Sequence, residues 1–283
     1  MSQTIIVGRN GFIAKELAKR ALKNVLFTTS NPEDKESIYL NLDKVEEFNY
    51  SNIDKNTVVV LLAAISSPDI CQNDYDYSYK INVTGTIKFT EKVIKQGAKV
   101  LFFASDVIYG NTLEPVNEKS QTNPFGNYAQ MKDEVEKYFC ENECFKSFRL
   151  SYVLSKEDKY LKYLQNCVNN ATVAEVFHPF ERKVIYIEDV LDAIESIVAD
   201  WEQCKSQYIN ICGIKSISRK DIADYFNELI NGKLKYEILE PNTEFWKARP
   251  KDINIKSLYL EDILGRKPID IKDAVSKIIK GDN

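Results

Sequence analysis

Short apolar runs of strand length recur through the first half of the chain, at Thr4–Val7, Val25–Thr28, Ile38–Leu42, Val58–Ala63 and Val100–Ala104. The segments between them carry helical spacing, clearest at Ile13–Leu22, Ile81–Gln96 and Tyr128–Phe139. This alternation predicts a doubly wound α/β fold, a parallel sheet with helices on both faces. The run 58–63 is apolar at every position, as expected of a central strand buried on both sides. Beyond Ser147 the pattern is less regular and is punctuated by Pro179, Pro241, Pro250 and Pro268. Phe148–Leu154 reads as a continuation of the sheet. Tyr160–Asn169, Asp189–Trp201 and Arg219–Ile230 read as helices, and Gln207–Ile211 and Leu234–Leu239 as strands.

The first strand runs into Val7-Gly8-Arg9-Asn10-Gly11-Phe12-Ile13-Ala14, a G-x-x-G-x-x-A turn between a strand and a helix. Gly8 permits the tight turn, Gly11 lets a pyrophosphate approach the backbone, and Ala14 lets the helix pack close to the sheet. A dinucleotide would lie on free N–H groups at the helix start. The expected cofactor contacts in the turn are Gly8, Arg9, Asn10, Gly11, Phe12 and Ile13. The chain divides on this reading into a dinucleotide-binding domain at 1–154, to whose sheet some later segments return, and a smaller α/β substrate lobe at 155–283. The second strand ends Phe27-Thr28-Thr29-Ser30 without the carboxylate that would hold the ribose of NAD. Arg9 either faces a 2′-phosphate or projects into solvent, and the first reading favours NADP(H) over NAD(H). Asp43 either contacts the adenine or caps a helix.

Tyr128 and Lys132 stand at i and i+4 on one helix face. A neighbouring cation favours the phenolate, so the Tyr128 pKa is expected to fall toward neutrality. Ser105 follows the apolar run Val100–Ala104, at the strand end where open α/β sheets hold ligands. Its hydroxyl is placed to bond a substrate oxygen.

The rest of the composition excludes more than it assigns. A net charge of −4 gives no electrostatic footprint for nucleic acid. No apolar run approaches about 18 residues, so no membrane span is expected. A strand reads almost from Met1, with no basic n-region and apolar stretch before it, which argues against a secretory leader. The six cysteines form no CxxC pair and the only histidine is His178, so no metal site is expected. Reduced cysteines point to a cytoplasmic protein. His178 reads as a packing or hydrogen-bonding residue.

The chain resembles the extended short-chain dehydrogenase/reductases that act on nucleotide-sugars, a Rossmann-fold family, over nearly its whole length. The turn Gly8–Ala14 is similar to the family's T-G-x-x-G-x-x-G, with Val7 and Ala14 as departures. Leu62-Ala63-Ala64 resembles the fourth-strand segment beside the cofactor, and Asn82-Val-Thr-Gly85-Thr86 the N-V-x-G-T helix start. Ser105-Asp-Val-Ile-Tyr109-Gly110 resembles S/T-x-x-V-Y-G, with Pro115, Glu118, Pro124, Tyr128 and Lys132 at the family's spacing. Arg149-Leu-Ser-Tyr-Val resembles the sixth strand. Arg182-Lys-Val-Ile-Tyr-Ile-Glu-Asp189-Val190 and Ala248-Arg249-Pro250-Lys-Asp252 resemble the family's R-x-x-I-x-V-x-D-V and A-R-P-x-D.

The resemblance implies a catalytic Ser105, Tyr128 and Lys132, with cofactor contacts at Leu62, Ala63, Ala64 and Asn82 besides the turn. It implies substrate contacts at Ser105, Asp106, Arg182 and Arg249, the two arginines near a nucleotide diphosphate. Val107 stands where sugar-nucleotide dehydratases carry a glutamate, which disfavours dehydration. Ser105-Asp106-Val-Ile-Tyr resembles the dTDP-4-dehydrorhamnose reductase branch. The implied activity is NAD(P)H-dependent reduction of a 4-keto nucleotide-linked deoxysugar, with a homodimer as the candidate assembly. A nucleotide-sugar epimerase is the alternative. A second alternative of another class is an NADP-binding regulatory subunit, because the branch includes the regulatory β subunit of methionine adenosyltransferase.

Overall fold

The computed structural model describes residues 3–20, 23–112 and 114–281. Six strands of the main sheet come from the chain up to Leu150: β1 (Gln3–Val7), β2 (Val25–Thr29), β3 (Ile38–Tyr39), β4 (Thr57–Leu61), β5 (Lys99–Ser105) and β6 (Phe145–Leu150). Tyr208–Ile211 pairs parallel with β6 and completes seven strands in the spatial order 208–211, β6, β5, β4, β1, β2, β3. All pairings in this sheet are parallel. The chain starts in the middle, winds outward to β3, then returns to β4 and winds the other way. The crevice at that reversal, above the carboxyl ends of β1 and β4, is where such sheets bind ligands.

The period-2 alternation of strand side chains divides the core into two layers. Ile5, Val7, Val59, Leu61 and Phe102 pack on one face, against α4 (Thr86–Lys95) and α5 (Asn127–Tyr138). Ile6, Val58, Val60, Leu101 and Phe103 pack on the other, against α1 (Phe12–Leu17), α6 (Lys159–Asn169) and α7 (Ile187–Ala199).

Several boundaries differ from the sequence reading. The helix expected over Ile13–Leu22 ends at Leu17 and passes into tighter bonds, Arg20 N–H donating to the Leu17 carbonyl at 3.0 Å. Positions 21 and 22 of that reading lie outside the described residues. The helix expected from Ile81 opens as a wide π-turn over Lys80–Gly85. A Cβ on Gly85 would stand 1.9 Å from the Leu42 carbonyl oxygen, so this backbone contact requires glycine. Ile38–Leu42 is a strand only over its first two residues, because Asn41 starts a 3-10 turn. Phe148–Leu154 divides in two. β6 begins earlier, at Phe145, while Val153–Leu154 pairs with Ile185–Tyr186 in a separate ribbon. Tyr236–Leu239, the ordered part of the run expected from Leu234, pairs with Ala174–Phe177.

Candidate active site

Gly8 holds φ +99°, and a Cβ there would meet Ala63 at 3.0 Å. The Gly11 N–H donates to the Gly8 carbonyl at 2.9 Å, and Arg9 N–H to the Thr28 carbonyl at 2.8 Å. The turn therefore forms one wall of a cleft of about 700 Å³ whose other walls are residues 28–30, 40–42 and 62–66. Gly8 through Ile13, Leu62, Ala63 and Ala64 all line it, together with Tyr128 and Lys132. Its size suits a dinucleotide, and so does its chemistry: bare backbone at the turn and, at the far end, a buried ammonium. Among the described residues the Lys132 ammonium has no hydrogen-bond acceptor. It lies 4.5 Å from the centroid of the Phe102 ring and 5.9 Å from that of Tyr128.

Two expected cofactor contacts act elsewhere. Asn82 is buried beneath the cleft wall. Its Oδ1 accepts from Ile65 N–H at 2.8 Å and its Nδ2 donates to the Ile65 carbonyl at 2.9 Å, so it fixes the lining loop from behind. Asp43 neither lines the cleft nor caps the 3-10 turn. The cap is Asn41, whose Oδ1 accepts from Asp43 N–H at 2.9 Å, and the Asp43 carboxylate pairs with Lys80 at 2.5 Å. Arg9 is neither free nor solvent-directed. It donates to Ser37 Oγ at 2.9 Å and Glu36 at 2.7 Å, with Asp34 at 3.8 Å.

A second cavity, about 250 Å³, opens on the other side of Tyr128. It contains Ser105, Asp106, Arg182 and Arg249, which gathers the expected substrate residues from three separate segments. Lys132 lines only the first cleft and Ser105 only the second. Tyr128 lines both, as do Ser66 and Leu150. The expected fall in the Tyr128 pKa is reversed. Burial pushes it up, helped by the fields of Cys71 and Asp106, and burial brings Lys132 down to about 8. Desolvation outweighs the cation because the ammonium lies over the ring and makes no hydrogen bond to the phenol. Tyr128 is thus a neutral phenol, a proton donor.

Asp106 is buried and its carboxyl is pushed up by that burial, against the opposing field of Arg182 and the Ser151 and Ser105 hydroxyls. Ser151 Oγ donates to it at 2.8 Å and Ser105 Oγ at 3.2 Å. Arg182 donates to the carbonyls of Glu181, Lys251 and Pro250 at 2.6, 2.9 and 2.6 Å. It thereby holds the segment that carries Arg249. Arg249 forms a bidentate pair with Asp69 of α2 (Pro68–Asn73), at 2.9 and 2.7 Å, across the cavity mouth.

Behind the site, a buried polar network fixes α5 to the sheet. Arg149 on β6 donates to Glu136 from Nε and Nη2, at 3.0 and 2.7 Å, and from Nη1 to the Tyr109 hydroxyl at 2.7 Å. Glu136 lies one turn beyond Lys132, so this pair registers α5 against the Ser105–Gly110 segment. Removing one partner of such a buried pair costs about 3–5 kcal/mol. The sequence reading missed Ser151, Asn41 and Asp69. Ser151 sits one residue past a strand end, a signal that was available. Asp69 has none, since its partner is 180 residues away. Among the described residues, no group of three or more His, Cys, Asp or Glu is placed to hold a metal, and no helix is long and apolar enough to cross a membrane.

The sheet order, the glycine turn, and a tyrosine between a lysine-lined cleft and a serine-lined cavity are those of the extended short-chain dehydrogenase/reductases. The model of the RmlD substrate binding domain family matches residues 2–280, and the chain belongs to that family. It is similar to methionine adenosyltransferase 2 subunit beta of Bos taurus, 25% identical over 146 residues, which are 50% of this chain and 43% of that protein. The match thus spans less than half the length of this curated relative. Two solved structures share the fold. The dTDP-4-dehydrorhamnose reductase of Clostridium acetobutylicum superposes with a TM-score of 0.80 at 20% identity, over 98% of both chains. That of Bacillus anthracis, in complex with NADP, superposes with a TM-score of 0.80 at 19% identity, over 100% of both.

Proposed function

We propose that this protein reduces a 4-keto group on a nucleotide-linked deoxysugar, with NADP(H) favoured over NAD(H). The observation that carries the reading is the position of Tyr128 on both cavities, with Lys132 facing only one and Ser105 only the other. A reduced nicotinamide bound in the first cleft would supply the hydride. The neutral Tyr128 phenol donates a proton to the substrate oxygen, Ser105 holds that oxygen, and Lys132 takes the ribose hydroxyls as acceptors. Burial of Tyr128 suits this direction, because a reduction needs an acid at that position. Positioned proton transfer of this kind contributes roughly 10²–10⁴-fold.

The preference for NADP(H) rests on Thr28, Thr29 and Ser30, which leave no carboxylate beside the adenosine ribose, and on Arg9. A 2′-phosphate would displace the exposed Glu36 from that guanidinium. Residues 1–154 would carry the dinucleotide and 155–283 most of the substrate contacts, with Ser105 and Asp106 reaching across the division. Arg182 and Arg249 would face the substrate diphosphate. The test is turnover of a panel of nucleoside-diphosphate 4-keto-6-deoxysugars, followed by NADPH absorbance. Consumption with at least one member is expected, and none with any member would refute the assignment.

A further inference from the structure

Three arginines gather on an aromatic cluster that reaches the substrate cavity through Phe180, and they differ in what engages their donors. Arg249 lies 4.9 Å from the Phe245 ring centroid and is paired with Asp69. Arg182 lies 4.4 Å from that of Phe180 and has three N–H groups on backbone carbonyls. Arg219 lies 5.1, 5.6 and 5.2 Å from the centroids of Tyr160, Phe177 and Phe180. Among the described residues its guanidinium has neither a hydrogen-bond acceptor nor an ion-pair partner.

Arg219 is the first residue of α8 (Arg219–Leu229), but the nearest acid along the chain does not neutralise it. Asp221 is engaged in the helix cap, accepting from Ser218 N–H at 2.8 Å and from Ser218 Oγ at 2.6 Å. Contacts with ring faces restrict a guanidinium while leaving its in-plane N–H groups free to donate. Phe180 carries two guanidinium groups, and the field of Arg219 works against the charge on Arg182, whose compensation comes from Asp106 and Asp252. Phe180 and Tyr152 line the cavity, and Arg219 acts on both, by ring contact and by its field. Arg182 lines the cavity and Arg219 stands behind Phe180 at its edge, so an unpaired cation is left there for an anion to complete.

We propose that Arg219 is an anion-binding residue at the edge of the substrate cavity, behind Phe180, and takes a phosphate of a nucleoside-diphosphate ligand. The assignment rests on the nucleotide-sugar reading above and adds to it the one guanidinium of the three whose donors are free. UDP and dTDP would be titrated by calorimetry into wild type, Arg219→Gln and Arg219→Lys, with NADPH affinity and melting temperature measured on each. We expect Arg219→Gln to weaken diphosphate binding about tenfold or more, Arg219→Lys to fall between, and NADPH affinity to be unchanged. Equal diphosphate affinity in wild type and Arg219→Gln would overturn the role of Arg219 and leave the nucleotide-sugar reading intact. If neither diphosphate bound wild type, both would fall. Parallel loss of stability and NADPH affinity in both variants would make Arg219 a structural residue and overturn the proposal.

Discussion

On one side of Tyr128 the cleft wall is backbone: Gly8, Gly11 and the loop 62–66, each placed by the strand immediately before it. On the other side it is side chains, each held by a partner far along the chain. Arg249 reaches Asp69, Arg182 reaches Pro250 and Lys251, and Asp106 takes the Ser151 hydroxyl. The backbone-built side recognises what all dinucleotides share. The other side is assembled from charged groups that already have hydrogen-bond or ion-pair partners, so a ligand there must exchange partners as well as fit. Affinity on the first side therefore follows from shape, and on the second from the difference between two sets of partners.

The largest effect should come where the two sides meet. Tyr128→Phe keeps the ring and removes the acid, so turnover should fall about 10²–10⁴-fold while NADPH binding and the thermal melt are retained. Activity within a few-fold of wild type would remove Tyr128 from the chemistry and favour a cofactor-binding regulatory subunit. Next is the ammonium on the cofactor side. Burial lowers the Lys132 pKa from its ordinary 10.5 to about 8. Between those values the unfolded chain holds the proton that the folded one has released, so stability rises with pH across that window. The rise should amount to at most about 3 kcal/mol. Urea unfolding of the cofactor-free protein at pH 7.5, about 9 and about 10.5 should show it in wild type and not in Lys132→Met. Parallel curves would mean the ammonium is better solvated than its burial implies.

A smaller effect tests whether the cofactor side reads charge as well as shape. Arg9→Ala should weaken NADPH about tenfold, as loss of one charge-assisted contact does, with little change for NADH. A stronger hold on NADH in wild type would reverse the cofactor assignment. The smallest effect tests partner exchange on the substrate side. Exposed ion pairs are worth roughly 0.2–1 kcal/mol, so freeing Arg249 with Asp69→Asn should tighten UDP or dTDP binding, by up to about fivefold. Weaker binding in this variant would show that Asp69 supports the ligand site rather than competing for it.

What could be read in the sequence follows the same division. The glycine turn, the strand-end Ser105 and the Tyr128–Lys132 spacing are local patterns, and each fixes its own geometry within a few residues. The strand alternation gave the fold class for the same reason, since one residue's face is set by its neighbour's. The start of β6 was obscured because Lys146 is charged, and only tertiary partners make it buriable, the carbonyls of Cys204 and Ser206. The direction of the Tyr128 pKa was misjudged because spacing shows a nearby cation but not the loss of water around both groups. Arg182 and Arg249 stood out as charges, yet nothing in the chain order shows that one is bonded to carbonyls, the other to Asp69, and Arg219 to neither. The sequence by itself determined the sheet, the turn and the Tyr128–Lys132 pair, because these depend on contacts within one element or between successive ones. Which arginine is left with free donors was decided only by the tertiary structure, because ion pairing depends on distances between residues that the chain order does not bring together.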